Sequence, residues 1–152
     1  MHAHRQTTFE TALAPDGVVA ALTDFSDRRP RIWPDLDSEK YKVHELDPTS
    51  ALVTEGSRRP DVWARERYDW TQPGRVGWRA EASNFCAPGG GVDVTVEARP
   101  GGGSRVTVEW QRTSTSVPGL TVVLTMRLLG ARLLTSMYKP VFDRLAAARS
   151  QP

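Results

Sequence analysis

The 152-residue sequence predicts an α+β architecture: an opening strand and two short helices lead into an antiparallel meander, and one long helix follows at the C-terminal end. Three observations carry this reading. Between Tyr41 and Thr115 apolar residues recur with period two, and turn signals interrupt them at short intervals. From Pro118-Gly119 onward the period becomes helical and stays so to about Arg149. Pro15, after a loosely alternating stretch, stands where a proline begins a helix rather than breaking one.

The elements follow in order. Residues 4–13 alternate, with Phe9, Thr11 and Leu13 on one parity, and read as the opening strand. A short helix from Pro15 to near Asp24 takes Val18, Val19 and Leu22 as its apolar face, and Pro30 and Pro34 keep a second helical turn at Ser26–Arg31 short. Strands are expected at 41–46, 50–57, 62–70, 75–83, 92–99 and 105–115. Their separators are turn chemistry: Asp47-Pro48, Arg59-Pro60, Gln72-Pro73-Gly74, Pro88-Gly89-Gly90-Gly91 and Pro100-Gly101-Gly102-Gly103. Six strands joined this tightly pair with their neighbours as an antiparallel meander. Val76, Trp78, Ala80 and Ala82, then Val92, Val94, Val96 and Ala98, then Val106, Val108 and Trp110 face a core, because the opposite parity carries Arg79, Glu81, Asp93, Glu97 and Glu109. In the final helix Thr121, Thr125, Arg132, Ser136, Lys139 and Asp143 fall within an arc of roughly 60°. The helix is therefore expected to be buried over most of its circumference, with Pro140 kinking or breaking it.

Composition narrows the classes. A chain of 152 residues with 39% hydrophobic residues can bury a core as one domain spanning 1–152. The single cysteine, Cys86, permits neither an internal disulfide nor a cysteine zinc site, and no apolar stretch follows the first basic residues, so a cytoplasmic location is expected. Leu120–Leu134 is shorter than the ~20 residues of a membrane span and carries Arg127 and Arg132, so no span is expected. With 20 Lys and Arg against 18 Asp and Glu, and no basic cluster among the aromatics, nucleic-acid binding is not expected.

Several segments carry a resemblance: Phe25-Ser26-Asp27 with Ile32-Trp33-Pro34 after the short helix, Arg65-Glu66-Arg67-Tyr68-Asp69-Trp70 in a strand, Val76-Gly77-Trp78 in the next, Gly102-Gly103-Ser104-Arg105-Val106-Thr107-Val108 entering the last strand, and the Leu/Arg-rich final helix. With the element order, they make nearly the whole chain resemble the START-like, Bet v 1-like (SRPBCC) superfamily, in its bacterial polyketide cyclase/dehydrase-type branch. The resemblance implies a helix-grip fold, in which a curved antiparallel sheet of about seven strands wraps around the long C-terminal helix. It also implies a cavity between them for an apolar or amphipathic small molecule. Members include lipid carriers, ligand binders and aromatase/cyclases, and fold alone does not choose among them.

Nothing in the sequence supplies a catalytic signature. Histidines occur at 2, 4 and 44 only, and there is no Gly-x-Ser-x-Gly. His2 and His4 fall in a terminus expected to fray, and His44 reads as a surface residue. Both glycine triplets lie between strands, where they cannot cradle a phosphate at a helix start, so no cofactor and no metal is expected. Cys86 reads as a small buried or loop residue without a neighbouring base.

Strand parity gives the sharper candidates. If Val62, Ala64, Tyr68 and Trp70 face inward, Glu66 does too, unless a bulge in that strand reverses it. Arg112 continues the inward parity of Trp110, and Arg127 lies within the helix's apolar arc. A polar focus of Glu66 with Arg112 or Arg127 would orient a ligand's carboxylate, phenol or carbonyl in an otherwise apolar cavity. Trp78, Trp110, Tyr68 and Met126 are the candidate wall and Trp33 the candidate mouth, while Trp63 shares the outward parity of Arg65 and Arg67. The expected function is binding of a lipid-like or polyketide-like small molecule in the central cavity. The alternatives are an aromatase/cyclase-like enzyme with Glu66 and Arg112 as catalytic candidates, or an interaction module whose homodimer hides the apolar remainder of the helix.

Overall fold

The computed structural model describes residues 1–151. Its elements are β1 (His2–Thr11), α1 (Pro15–Leu22), α2 (Arg29–Ile32), a short 3-10 turn (Ser38–Lys40), β2 (Lys42–Leu46), β3 (Ser50–Ser57), β4 (Val62–Asp69), β5 (Arg75–Ser83), β6 (Gly91–Ala98), β7 (Ser104–Thr113) and α3 (Val117–Arg149). All seven strands form one antiparallel sheet in the order β1-β7-β6-β5-β4-β3-β2. The meander runs from β2 to β7, and β1 returns to pair with the last strand. This is the α+β helix-grip arrangement, with α1 and α2 after the first strand.

Two expectations about β1 and α3 need correction. The N-terminal residues do not fray: β1 begins at His2, which pairs with Thr113, and the ladder continues to Thr11 opposite Ser104. His2 Nδ1 lies 2.9 Å from Thr113 Oγ1 and His4 Nε2 lies 2.6 Å from Glu109 Oε1, so both histidines belong to the sheet's outer face. The final helix, in turn, is not buried over most of its circumference. Its buried positions, Gly119, Val123, Met126, Gly130, Leu134, Tyr138, Val141, Phe142 and Ala146, form one narrow stripe. Leu124, Leu128 and Leu129 are exposed, Leu128 at 73%. A single sheet covers one side of a helix, and apolar composition alone supplies no second layer. Nor does Pro140 break α3, which runs on to Arg149. The Ser136 carbonyl that loses its helical donor there belongs to an exposed residue, where water can take the donor's place.

The start of α3 is fixed by local chemistry. Ser116 caps it, its Oγ accepting from Gly119 N at 3.2 Å and donating to Asn84 O at 2.8 Å. Gly119 is required by proximity, since a Cβ there would sit 1.9 Å from the Phe85 carbonyl oxygen. From this anchor α3 lies along β1. Arg5 reaches the Arg127 carbonyl at 2.6 Å, Thr7 meets Thr135 at 2.8 Å, and Lys139 donates to the Glu10 carbonyl at 2.7 Å. Because the helix runs along the β1 edge of the sheet, the concave faces of β3, β4 and β5 are left with space above them.

The core follows the expected parities. Val76, Val94, Val106, Val108, Val53, Val123, Leu134 and Phe142 are buried together beneath α1, which contributes Val18 and Leu22. At the ends of two alternating runs the inward parity fades: Ala82 is half-buried and Ala98 exposed. The β4–β5 ladder does contain a bulge, because Arg65 pairs with Ala82 while Glu66 pairs with Ala80. The extra residue, Glu81, belongs to β5. The parity of β4 therefore survives, with Val62, Ala64, Glu66 and Tyr68 inward and Trp63, Arg65 and Arg67 on the other parity.

Candidate functional site

A pocket of about 1200 Å³ lies between α3 and the inner face of β3–β5, reaching Trp110 and Arg112 on β7. Its walls are aromatic because the inward parities of three strands place Tyr68, Trp78 and Trp110 there, opposite Met126, Leu134 and Tyr138 of α3. Tyr68 and Trp78, paired across β4 and β5, stack with ring centroids 4.9 Å apart. Trp33, just after α2, meets Tyr138 and Phe142 edge-on at 5.6 and 5.8 Å, and its Nε1 donates to the Ala21 carbonyl at 3.3 Å. That bond fixes the indole in the pocket lining, which also includes Leu36, Arg58 and Met137.

Glu66 and Arg112 meet in this wall as a fully buried ion pair, Arg112 NH2 donating to Glu66 Oε1. The other terminal nitrogen of Arg112 lies 3.3 Å from the Cys86 sulfur, and Phe85 packs its ring against the guanidinium at 5.4 Å. Cys86 is thus buried, as expected, but beside a cation that its sequence neighbours do not reveal. Burial pushes the Glu66 carboxyl above its ordinary pKa, and Arg112 offsets this only in part. Burial works most strongly against the charge of Arg112, but the Glu66 carboxylate and the Cys86 sulfur together outweigh it and hold the guanidinium protonated.

Arg127 is corrected. It is exposed on α3, it does not line the pocket, and its backbone carbonyl is occupied by Arg5. The physical reason is the narrow buried stripe: within an apolar stretch of helix, composition does not say which side meets the sheet. Trp33, Glu66, Tyr68, Trp78, Trp110, Arg112 and Met126 all line the pocket.

A second polar cluster was not anticipated. Arg29 is 4% exposed, and its Nε donates to Glu55 Oε1. Its terminal nitrogens donate to the Leu22 and Asp24 carbonyls at 3.0 and 3.1 Å and to the Tyr68 hydroxyl at 3.3 Å. The Tyr68 hydroxyl in turn donates to Glu55 Oε2 at 2.6 Å, while Arg29 lies 4.4 Å over the Phe25 ring. Burial and the Glu55 carboxylate both raise the Tyr68 phenol well above its ordinary pKa. Glu55 was legible, since Ala51, Val53 and Glu55 share the parity that puts Ala51 and Val53 in the core. Arg29, inside Arg28-Arg29-Pro30-Arg31, has no periodicity to distinguish it from its neighbours.

Tyr138 completes the polar inventory. Its hydroxyl takes part in no hydrogen bond among the described residues, and no sealed polar side-chain atom lacks a partner, so the hydroxyl opens onto the pocket it lines. Burial pushes its pKa up, with the nearby Glu66 carboxylate adding to the effect. Among the described residues no group of three His, Cys, Asp or Glu is placed to hold a metal ion.

No protein-family model matches the sequence, and a search of curated proteins finds no match. Solved structures do match in shape. A START superfamily protein from Mycobacterium smegmatis superposes with a TM-score of 0.75 over 99% of this chain and 100% of its own, at 11% identity. The chain has a START/Bet v 1-like fold. The Zhui aromatase/cyclase from a Streptomyces species matches with a TM-score of 0.77 over 99% of this chain and 97% of that one, at 12% identity. The di-domain ARO/CYC BexL matches at 0.72 and 9% identity, this chain covering 51% of it. In the START/Bet v 1-like fold α3 is the core helix. By length and composition it is apolar enough to cross a membrane, yet its Val123–Phe142 stripe is buried against the sheet.

Proposed function

We propose that this chain binds a hydrophobic or amphipathic small molecule, lipid-like or polyketide-like, between the sheet and α3. The observation that carries the reading is the pocket of about 1200 Å³, walled by Tyr68, Trp78, Trp110, Met126 and Tyr138 and holding the buried Glu66–Arg112 pair. A mostly apolar concavity with a few fixed polar groups suits a ligand that is buried along its length and oriented at one end. An apolar fluorescent dye is expected to brighten on mixing with the protein, and Met126→Trp, which takes up part of the pocket, is expected to weaken its binding. Absence of brightening, or an affinity unchanged by Met126→Trp, would sink the reading.

An enzymatic reading rests on Glu66, a carboxyl of raised proton affinity in the pocket wall, and on shape neighbours described as aromatase/cyclases. In it Glu66 exchanges a proton with an enolisable polyketone that Arg112 helps to orient. Turnover of a poly-β-ketone analogue that persists unchanged in Glu66→Gln would remove Glu66 from that role.

A further inference from the structure

The charges around the pocket cancel in pairs. Arg29 is matched by Glu55 and Arg112 by Glu66, and all four side chains line the same space. Arg29 is held by four acceptors, so it has little left to offer a ligand. An anionic ligand entering here would lose its hydration and find both arginines already engaged. To gain a counter-ion it would have to break an ion pair, and the glutamate left behind would stay charged in a poorly hydrated site. The remaining charged rim residues, such as Asp35, Arg58 and Arg59, are exposed, where water and salt screen them.

What the pocket does offer is open hydrogen-bonding groups. The Tyr138 hydroxyl is open, and Glu66 uses only Oε1 towards Arg112, leaving Oε2 without a partner among the described residues. We propose, resting on the small-molecule reading above, that the pocket selects an uncharged ligand bearing a hydroxyl or carbonyl over an ionised carboxylate, and that the Tyr138 hydroxyl bonds that group.

The test uses three pyrene probes that differ only at the chain end: pyrenebutanol, pyrenebutyrate and butylpyrene, which has no polar group. Energy transfer from the wall tryptophans to pyrene reports binding. Pyrenebutanol is expected to bind at least tenfold more tightly than pyrenebutyrate, and a smaller margin overturns the proposal. Tyr138→Phe is expected to bring pyrenebutanol down to the affinity of butylpyrene, and an unchanged preference for the alcohol removes Tyr138 from the role. Glu66→Gln leaves Arg112 uncompensated, so pyrenebutyrate is expected to gain at least tenfold relative to pyrenebutanol. An unchanged ratio there defeats the charge-balance argument. Failure of all three probes, butylpyrene included, would instead strike the small-molecule reading itself.

Discussion

The two arginine–glutamate pairs share one pocket and differ in what surrounds them. Arg29 is enclosed: it ties the carbonyls at the end of α1 and just beyond it, the Tyr68 hydroxyl and Glu55 into one knot, and it carries α2 down onto β3 and β4. Arg112 is held more loosely, by one carboxylate oxygen, a thiol and a phenyl ring. Identical residue chemistry therefore serves different ends. A saturated pair holds structure, and a pair with a spare oxygen facing a pocket keeps the capacity to meet a ligand.

Substitutions can break or sharpen that contrast. Arg29→Met, which leaves the partly exposed Glu55 without its cation and the Leu22 and Asp24 carbonyls without their donor, is expected to cost about 3 kcal/mol in urea denaturation, the low end of the range for breaking a buried pair. A loss no larger than that of a surface substitution would refute the clamp. Glu66→Gln keeps the shape and a bond to Arg112 while removing the charge, and is expected to cost less, about 1–3 kcal/mol. If it destabilises more than Arg29→Met, the ranking of the two pairs is reversed.

The same glutamate gives the contrast a pH signature. Its folded pKa lies above the unfolded one, so between the two values the fold holds the extra proton. This contribution favours the fold below the unfolded pKa and is lost as pH rises through the folded pKa. Infrared titration is expected to show one carboxyl protonating above the usual carboxylate range in the wild type and not in Glu66→Gln. The smallest effect is assigned to Tyr68→Phe, which removes the hydroxyl's short bond to Glu55 and the longer one it accepts from Arg29, and leaves the Arg29–Glu55 pair in place. About 1 kcal/mol is expected from thermal unfolding, and a loss near that of Arg29→Met would mean that the phenol, not the guanidinium, holds the knot together.

What could be read from the sequence follows from how locally each feature is encoded. The strands and the final helix were legible because turn residues and a change of period mark them within a few positions, as at Pro118-Gly119. Glu66 was legible because alternation in β4 is unbroken; had the extra residue fallen in β4 instead of at Glu81, the same argument would have turned it outward. Arg127 and the burial of α3 were misread because an apolar helix carries no mark of which side the sheet will cover. Arg29 was missed because its position depends on where α2 docks, a long-range outcome with no local trace. The pairing of His2 and His4 has no local mark, because β1 finds its partner more than a hundred residues downstream.

That last pairing has a consequence for the order of assembly. β1 is synthesised before β7, its sheet neighbour among the described residues, and α3, which lies along its inner side, comes later still. Pairing across so long a separation is slow, because the intervening chain must be brought together before any contact repays the entropy. Until β7 is made β1 is an unpaired edge, and the pocket's helical wall follows after that. The pocket is therefore a late product of folding, complete only once β1 has met β7 and α3.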